Sequence, residues 1–175
     1  MTDTIRLARA FATRAHAGQH RKGRQAEPYI THPEEVAALV TEFGGGVTAI
    51  CAAWLHDTVE DCPYVTHADL ETLFGVEIAA VVAELSDDKS LARAERKRRQ
   101  IAAAPDRSPS AALVGLADKL SNVRSLVRDA PAGWDTARKA GYLDWADAVV
   151  ARLPHLPPTA RARFAETLVV ARKAL

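Results

Sequence analysis

In a chain of 175 residues, 23 Lys and Arg stand against 22 Asp and Glu, so no overall charge excess calls for nucleic acid or an acidic membrane as partner. That length suits one hydrophobic core, because a chain of about 150 residues already buries roughly two thirds of its unfolded surface. With 48% hydrophobic, 26% charged and 6% aromatic residues, the composition is that of a globular protein with helix-favouring alanine and excludes a disordered chain.

Apolar residues recur with a period near 3.6 and no run alternates strictly, which predicts an all-α fold. The first helix is expected over about 4–17, with Ile5, Ala8, Phe11, Ala12 and Ala15 on one face and Gly18 as its stop. After the polar loop "GQHRKGRQAEPYI", Thr31 and Glu34 have capping-box spacing, Pro33 suits a first turn, and three glycines end the second helix. The third, "VTAICAAWLHDTVED", is apolar up to His56 and is expected to be central and continuous. Past "CPYV", Thr66 and Asp69 cap a helix that runs to Gly75, and "VEIAAVVAEL" reads as a buried helix closed by "SDDKS". The stretch "LARAERKRRQIAAA" is expected on the surface, its charges solvated, with guidance of polyphosphate as the alternative. Ser108 and Pro109 start the helix "SAALVGLADKLSNVRSLV". Two amphipathic helices, about 134–153 and 159–175, flank the turn "PHLPP". Without a long linker or an internal repeat, one domain over residues 1–175 is expected. Cys51 and Cys62 have neither zinc spacing nor disulfide-scaffold density. No apolar run nears the length of a membrane span, and "MTDTIR" lacks the order of a signal peptide. A cytoplasmic protein with reduced thiols, bound to neither membrane nor nucleic acid, is the resulting expectation.

The segment "LHDTVED" sets His56, Asp57, Glu60 and Asp61 within six positions at the end of an apolar helix. On a straight helix His56 and Glu60 stack one turn apart, as do Asp57 and Asp61, so all four can face one cavity. Carboxylates crowded at a helix C-terminus repel one another and the helix dipole, a penalty that a cation reverses. Two further residues suit a metal site. His32, in "YITHP", lies where a loop turns into a helix, and Asp118 interrupts the apolar run "ALVGLADKLSNV", where a lone carboxylate needs a partner. The set His32, His56, Asp57 and Asp118 is a mixed nitrogen and oxygen donor group suited to Mn, Fe, Co or Zn. Water acidified by such an ion is a nucleophile near neutral pH, and Glu60 or Asp61 could orient it or take its proton. His16, His20, His67 and His155 read as surface or packing residues, and Trp134, Tyr142 and Trp145 as packing or a pocket wall.

The motifs "AHAGQHRKG", "PYITHPEEVA", "AAWLHDTVED", "FGVEIAAVVAELSDDKS", "ERKRRQ", "LADKLSNVRSL" and "GWDTARKAGYLDWADAVV" run in this order over almost the whole chain. With them the chain resembles the HD-type hydrolase domain of the RelA/SpoT alarmone enzymes, and most closely the stand-alone small alarmone hydrolases. The resemblance implies an all-helical HD-domain phosphohydrolase fold, a Mn2+ ion, and removal of the 3′-pyrophosphate from ppGpp or pppGpp to leave GDP or GTP. It implies His32, His56, Asp57 and Asp118 as metal ligands and Glu60 with Asp61 as the catalytic acidic pair. It also implies Arg21, Lys22, Lys89, Asn122 and Tyr142 around the nucleotide. The family's synthetase domain has no counterpart here, so degradation alone is expected. Cys62, Ser86 and Ser90 stand where close relatives usually carry threonine. The same machinery would serve adenosine alarmones or NADPH, and the resemblance permits both as alternatives. A non-catalytic nucleotide sensor and a nucleic-acid module using "RKGR" and "ERKRR" are the rivals of other classes. A homo-oligomer is compatible with all of these.

Overall fold

The computed structural model describes residues 2–175, so the first residue of "MTDTIR" lies outside the described chain. Among the described residues ten α-helices follow one another: α1 (Asp3–Ala15), α2 (Thr31–Glu42), α3 (Val47–Leu55), α4 (Thr58–Asp61), α5 (His67–Phe74), α6 (Val76–Leu85), α7 (Arg93–Ala103), α8 (Pro109–Arg128), α9 (Thr136–Val150) and α10 (Pro158–Lys173). One 3-10 turn, η1 (Ala104–Asp106), lies between α7 and α8. The described residues contain no strand, only isolated bridges from His20 to Pro28 and from Gly23 to Pro131. The all-α expectation therefore holds. None of the helices among the described residues is long and apolar enough to cross a membrane.

Helix α3 is the hub. It packs against α1, α2, α6 and α8, and Ala49, Cys51, Ala52, Ala53, Trp54 and Leu55 are all buried. Its small side chains let four neighbours approach on different sides, as a helix that is apolar all round requires. Helix α8 is the second axis, in contact with α2, α3, α6, α9 and α10. Leu116, Leu120 and Val123 on α8 are fully buried, each such side chain contributing about 1.5–3 kcal/mol of apolar burial. Because α3 and α8 are the most enclosed elements, polar groups carried on them stand on rigid backbone.

Two local readings of the sequence need correction. Thr31 does not cap α2: the N-cap is Ile30, without a side-chain bond, and the Thr31 hydroxyl donates to the Pro28 carbonyl at 2.9 Å. The loop's own carbonyl competes successfully for that hydroxyl. The predicted single helix from Val47 through Asp61 breaks after Leu55. The Thr58 hydroxyl donates to the Leu55 carbonyl at 2.7 Å, the His56 ring bonds the Ala53 carbonyl at 2.8 Å, and Asp57 adopts φ −96° and ψ −6°. Side chains thus take carbonyls that a continuous helix would have used, and α4 restarts as a separate turn. Elsewhere the signals worked locally: Thr66 and Asp69 form a reciprocal capping box on α5, and the Ser108 hydroxyl caps α8.

Leu70 on α5 is fully buried, whereas Leu73 on the same helix is 50% exposed. Leu70→Ala is expected to lower the unfolding free energy by about 2–5 kcal/mol, and Leu73→Ala to change it by no more than about 0.5 kcal/mol. Urea denaturation of the two variants against the parent chain measures both.

Candidate metal centre and active-site cleft

Four side chains meet where α2, the α3–α4 break and α8 converge. His32 and His56 are buried, and His32, His56 and Asp118 each offer a ligand atom within 4.8 Å of the others. His32 Nε2 lies 3.2 Å from Asp118 Oδ1 and 3.6 Å from Asp57 Oδ2. His56 Nε2 lies 3.2 Å from Asp57 Oδ2 and 4.0 Å from Asp118 Oδ1. Asp57 reaches both imidazoles but stands outside the mutual set of three, its Oδ2 taken by the Tyr29 hydroxyl at 2.5 Å.

The far sides of the two rings set their chemistry. His56 Nδ1 faces the Ala53 carbonyl, which can only accept, so that nitrogen carries a proton and Nε2 is the donor atom left for a ligand. His56 Nε2 is buried without a hydrogen-bond partner. His32 Nδ1 lies 3.0 Å from Ser121 Oγ, and the Ser121 hydroxyl donates to Glu35 Oε2 at 2.8 Å. Since Ser121 spends its proton on Glu35, its oxygen accepts from His32 Nδ1–H and turns the Nε2 lone pair toward the carboxylates. Arg124 holds the other Glu35 oxygen at 3.3 Å.

Charge makes the cluster incomplete by itself. Burial works against a charged His56, but Asp57 and Asp118 outweigh it and lift the imidazole to about 9. Burial likewise opposes the Asp118 carboxylate, yet Lys119, His32 and His56 hold it well below the usual range; Asp57 is lowered by His56 and His32 against the same burial cost. Protons on imidazole thus neutralise the carboxylates when no metal does. The orphaned Nε2, the outward-protonated Nδ1 atoms and the ionised carboxylates together fit a divalent transition-metal ion.

The cluster opens into a cavity of about 200 Å³ lined also by Glu60, Asp87, Arg107, Lys119, Asn122 and Tyr142. Glu60 Oε1 accepts from the Asp87 amide at 2.8 Å, and Lys89 bridges Glu60 Oε2 at 3.4 Å and Asp61 Oδ1 at 2.8 Å. Burial foremost raises the Glu60 pKa; the Asp87 amide and Lys89 pull it down, and the charges of Asp57 and Asp87 push it up. Glu60 lines the cavity, whereas Asp61 and Lys89 do not. Asn122 donates to Asp118 Oδ1 at 2.6 Å and accepts from Arg21 at 3.3 Å. Arg21, Tyr29, Asn122 and Tyr142 are shared with an outer cavity of about 300 Å³ that also meets Lys22, Arg93 and Trp134. The structure therefore gathers His32, His56, Asp57, Asp118, Glu60, Arg21, Asn122 and Tyr142 about the inner cavity, leaves Lys22 in the outer one, and ties Asp61 to Lys89.

The HD domain family matches residues 8–143. The chain belongs to that family. HD domain hydrolases bind a divalent metal, and the HD doublet here is His56–Asp57. The chain is 46% identical over 142 residues to the human guanosine-3′,5′-bis(diphosphate) 3′-pyrophosphohydrolase MESH1, covering 80% of this chain and 79% of that protein. It is 39% identical over 129 residues to the Escherichia coli bifunctional (p)ppGpp synthase/hydrolase SpoT, covering 70% of this chain and 18% of that protein. A solved metazoan ortholog of SpoT that hydrolyzes ppGpp and plays a role in starvation responses superposes with a TM-score of 0.92 at 34% identity, covering 100% of this chain and 98% of that one.

Sequence reasoning did not single out Tyr29, Glu35, Ser121, Lys119 or Arg107. The helical offsets of three from His32 to Glu35 and from Asp118 to Ser121 were visible, but the pairing across two helices was not. Ser121→Ala leaves His32 Nδ1 without its acceptor and is expected to weaken divalent-metal binding by about 10- to 100-fold, as read by calorimetry. Because His56 must shed a proton to bind an ion, metal affinity is expected to rise about tenfold per pH unit and to level off near the His56 value of about 9. An affinity independent of pH below that value would contradict this account.

Proposed function

We propose that this HD domain protein hydrolyses guanosine alarmones at the 3′ position, converting ppGpp to GDP and pppGpp to GTP with release of pyrophosphate, and that Mn2+ is its ion. The observation that carries the reading is a cluster of two buried histidines and two half-buried carboxylates with Glu60 beside it, opening into a cleft whose outer wall is cationic and aromatic. The likeness to MESH1 and to the solved SpoT ortholog supports the substrate class. In this reading residues 1–175 make one hydrolase domain that works in the cytoplasm on a small nucleotide rather than on nucleic acid or at a membrane. The free, buried Cys51 and Cys62 suit a reducing compartment.

Bound at His32, His56, Asp57 and Asp118, a divalent ion supplies Lewis acidity toward a phosphoryl oxygen and acidifies water. The chain's own groups do the rest. Glu60, half-buried and raised in pKa, takes the proton of the attacking water, and the Asp87 amide and Lys89 fix the direction in which its oxygens face. Asp61 completes the acidic pair through the shared Lys89 ammonium. Arg21 offers a planar guanidinium for stacking on a purine, and Asn122 ties that arginine to Asp118, so that base and metal stand at a set separation. Tyr142 and Trp145 close the cleft wall.

Turnover of ppGpp, ppApp and NADPH by Mn2+-loaded protein tests the reading: ppGpp is expected to be the best substrate, with GDP and pyrophosphate as products. Preference for ppApp or NADPH, or full activity after exhaustive chelation, would overturn it. Glu60→Gln is expected to lower kcat by about 100-fold or more with Mn2+ affinity kept. As a base, Glu60 must be ionised, so kcat should fall as pH drops through a value above the ordinary glutamate pKa of about 4.3, and that acidic limb should vanish in the variant.

A further inference from the structure

Three cations line the inner cavity: Arg21, Lys119 and Arg107. Arg21 is bonded to Asn122 and Lys119 to Asp118 at 2.6 Å. Arg107 differs. It sits in the connection between η1 and α8, yet only 8% of it is exposed. Its Nε is buried without a hydrogen-bond partner among the described residues, and Arg107 enters none of their ion pairs. The carboxylates that act on it through space are committed elsewhere: Glu84 accepts from the Ser108 amide at 2.7 Å, Asp87 from Gln100 at 2.8 Å, and Asp118 from Lys119 and Asn122. Burial depresses the Arg107 pKa and these three acids oppose that, but a guanidinium remains charged in either case. An unpaired charge is costly to bury.

The fold also gives something up to keep it there. Gly115 lies within α8, a position where glycine is a poor helix former. A Cβ at Gly115 would come within 2.9 Å of Arg107 Nη1. The missing side chain is the notch in which the guanidinium rests, beside the cavity that holds the metal cluster and Glu60.

We propose that Arg107 binds the diphosphate anion in the inner cavity, its guanidinium fork donating to the phosphoryl oxygens of the group that is cleaved and released, with Gly115 as the notch that allows this. The identity of that group as the 3′-pyrophosphate rests on the function proposed above, whereas the chemistry of a partnerless buried guanidinium facing the cavity requires only an oxyanion. A fork of parallel N–H donors matches two phosphoryl oxygens, and desolvation strengthens each bond. The substrate's own charge then completes a cation that no side chain neutralises.

The test uses inorganic pyrophosphate, with Mn2+-loaded protein and free Mn2+ held constant, read by calorimetry beside thermal unfolding without pyrophosphate. Arg107→Met is expected to weaken pyrophosphate binding by at least about tenfold, to leave Mn2+ affinity unchanged, and to keep or raise Tm, since it removes an uncompensated charge. Arg107→Lys, which keeps the charge and loses the fork, is expected to fall between. Gly115→Ala, which crowds Nη1, should weaken pyrophosphate binding in the parent chain and have no effect in the Arg107→Met background. Parent-like pyrophosphate affinity in Arg107→Met, or a lowered Tm with that affinity intact, would overturn the proposal by making Arg107 structural. Should Arg107→Met not fold, unchanged pyrophosphate affinity in Gly115→Ala would overturn it. Parent protein that binds pyrophosphate through Arg107 but does not turn over ppGpp would overturn the alarmone reading alone and leave the diphosphate site standing.

Discussion

A meeting of two buried imidazoles with two half-buried carboxylates governs this molecule. His32, His56, Asp57 and Asp118 converge from α2, the α3–α4 break and α8, and their surroundings solvate the charges only in part. Without a metal, protons must serve, which is why His56 is lifted to about 9 against its own burial. Imidazolium is a makeshift in this role. Its charge is single and directional, and the Nε2 of His56 still finds no acceptable hydrogen bond. A divalent ion would bring more charge to one point, and His32 and His56 would each have an Nε2 lone pair to hold it. The stability of the site and its chemistry are therefore one requirement, and the α3–α8 packing supplies the rigid frame for it.

The break between α3 and α4 serves that frame. On a continuous helix, His56 would stack over Glu60 and Asp57 over Asp61, and two pairs would share one surface. The break instead lets His56 and Asp57 turn to the same point while Glu60 lines the cavity and Asp61 bonds Lys89. The backbone accommodates this because the Thr58 hydroxyl and the His56 ring occupy carbonyls at the end of α3. In the function proposed, dividing the four groups in this way would separate two tasks that conflict on one helical face: holding a cation, which needs ionised oxygen, and moving a proton, which needs a carboxyl raised in pKa.

The amphipathic period made the fold class legible, and the doublet, the lone Asp118 and His32 made the cluster legible, because each is a polar residue in apolar company. What the sequence concealed was of two kinds. Local competition for hydrogen bonds undid Thr31 as a cap and divided the third helix, since a hydroxyl near several carbonyls is not assigned by spacing. Partnership across elements hid Ser121, Glu35, Tyr29 and Arg107, since nothing in "HPEE" or "LSNV" says that those two segments face each other. Arg107 was the hardest to see, since only the notch at Gly115, eight positions on, betrays where its side chain goes.

Seen as a whole, the cleft is polarised. Its floor carries the carboxylates and suits a divalent ion; its walls carry Arg21, Arg107 and Lys119 and suit phosphate. Lys119 is bonded directly to the floor at Asp118. Outside the lining, further cations lie on aromatic faces: Lys97 is 4.6 Å from the Trp145 ring and 5.4 Å from Tyr142, and Arg138 is 4.5 Å from Trp134. An aromatic face stabilises a cation without neutralising it as a carboxylate would, so these charges remain available to an anion. Lys97 illustrates the tension, since burial and the neighbouring Arg93, Lys119 and Arg138 lower its pKa. Mutual repulsion among these cations is relieved when a polyanion enters, just as repulsion among floor carboxylates would be relieved by a metal. A phosphorylated nucleotide bound together with a divalent ion satisfies both halves of the cleft, and neither ligand alone does.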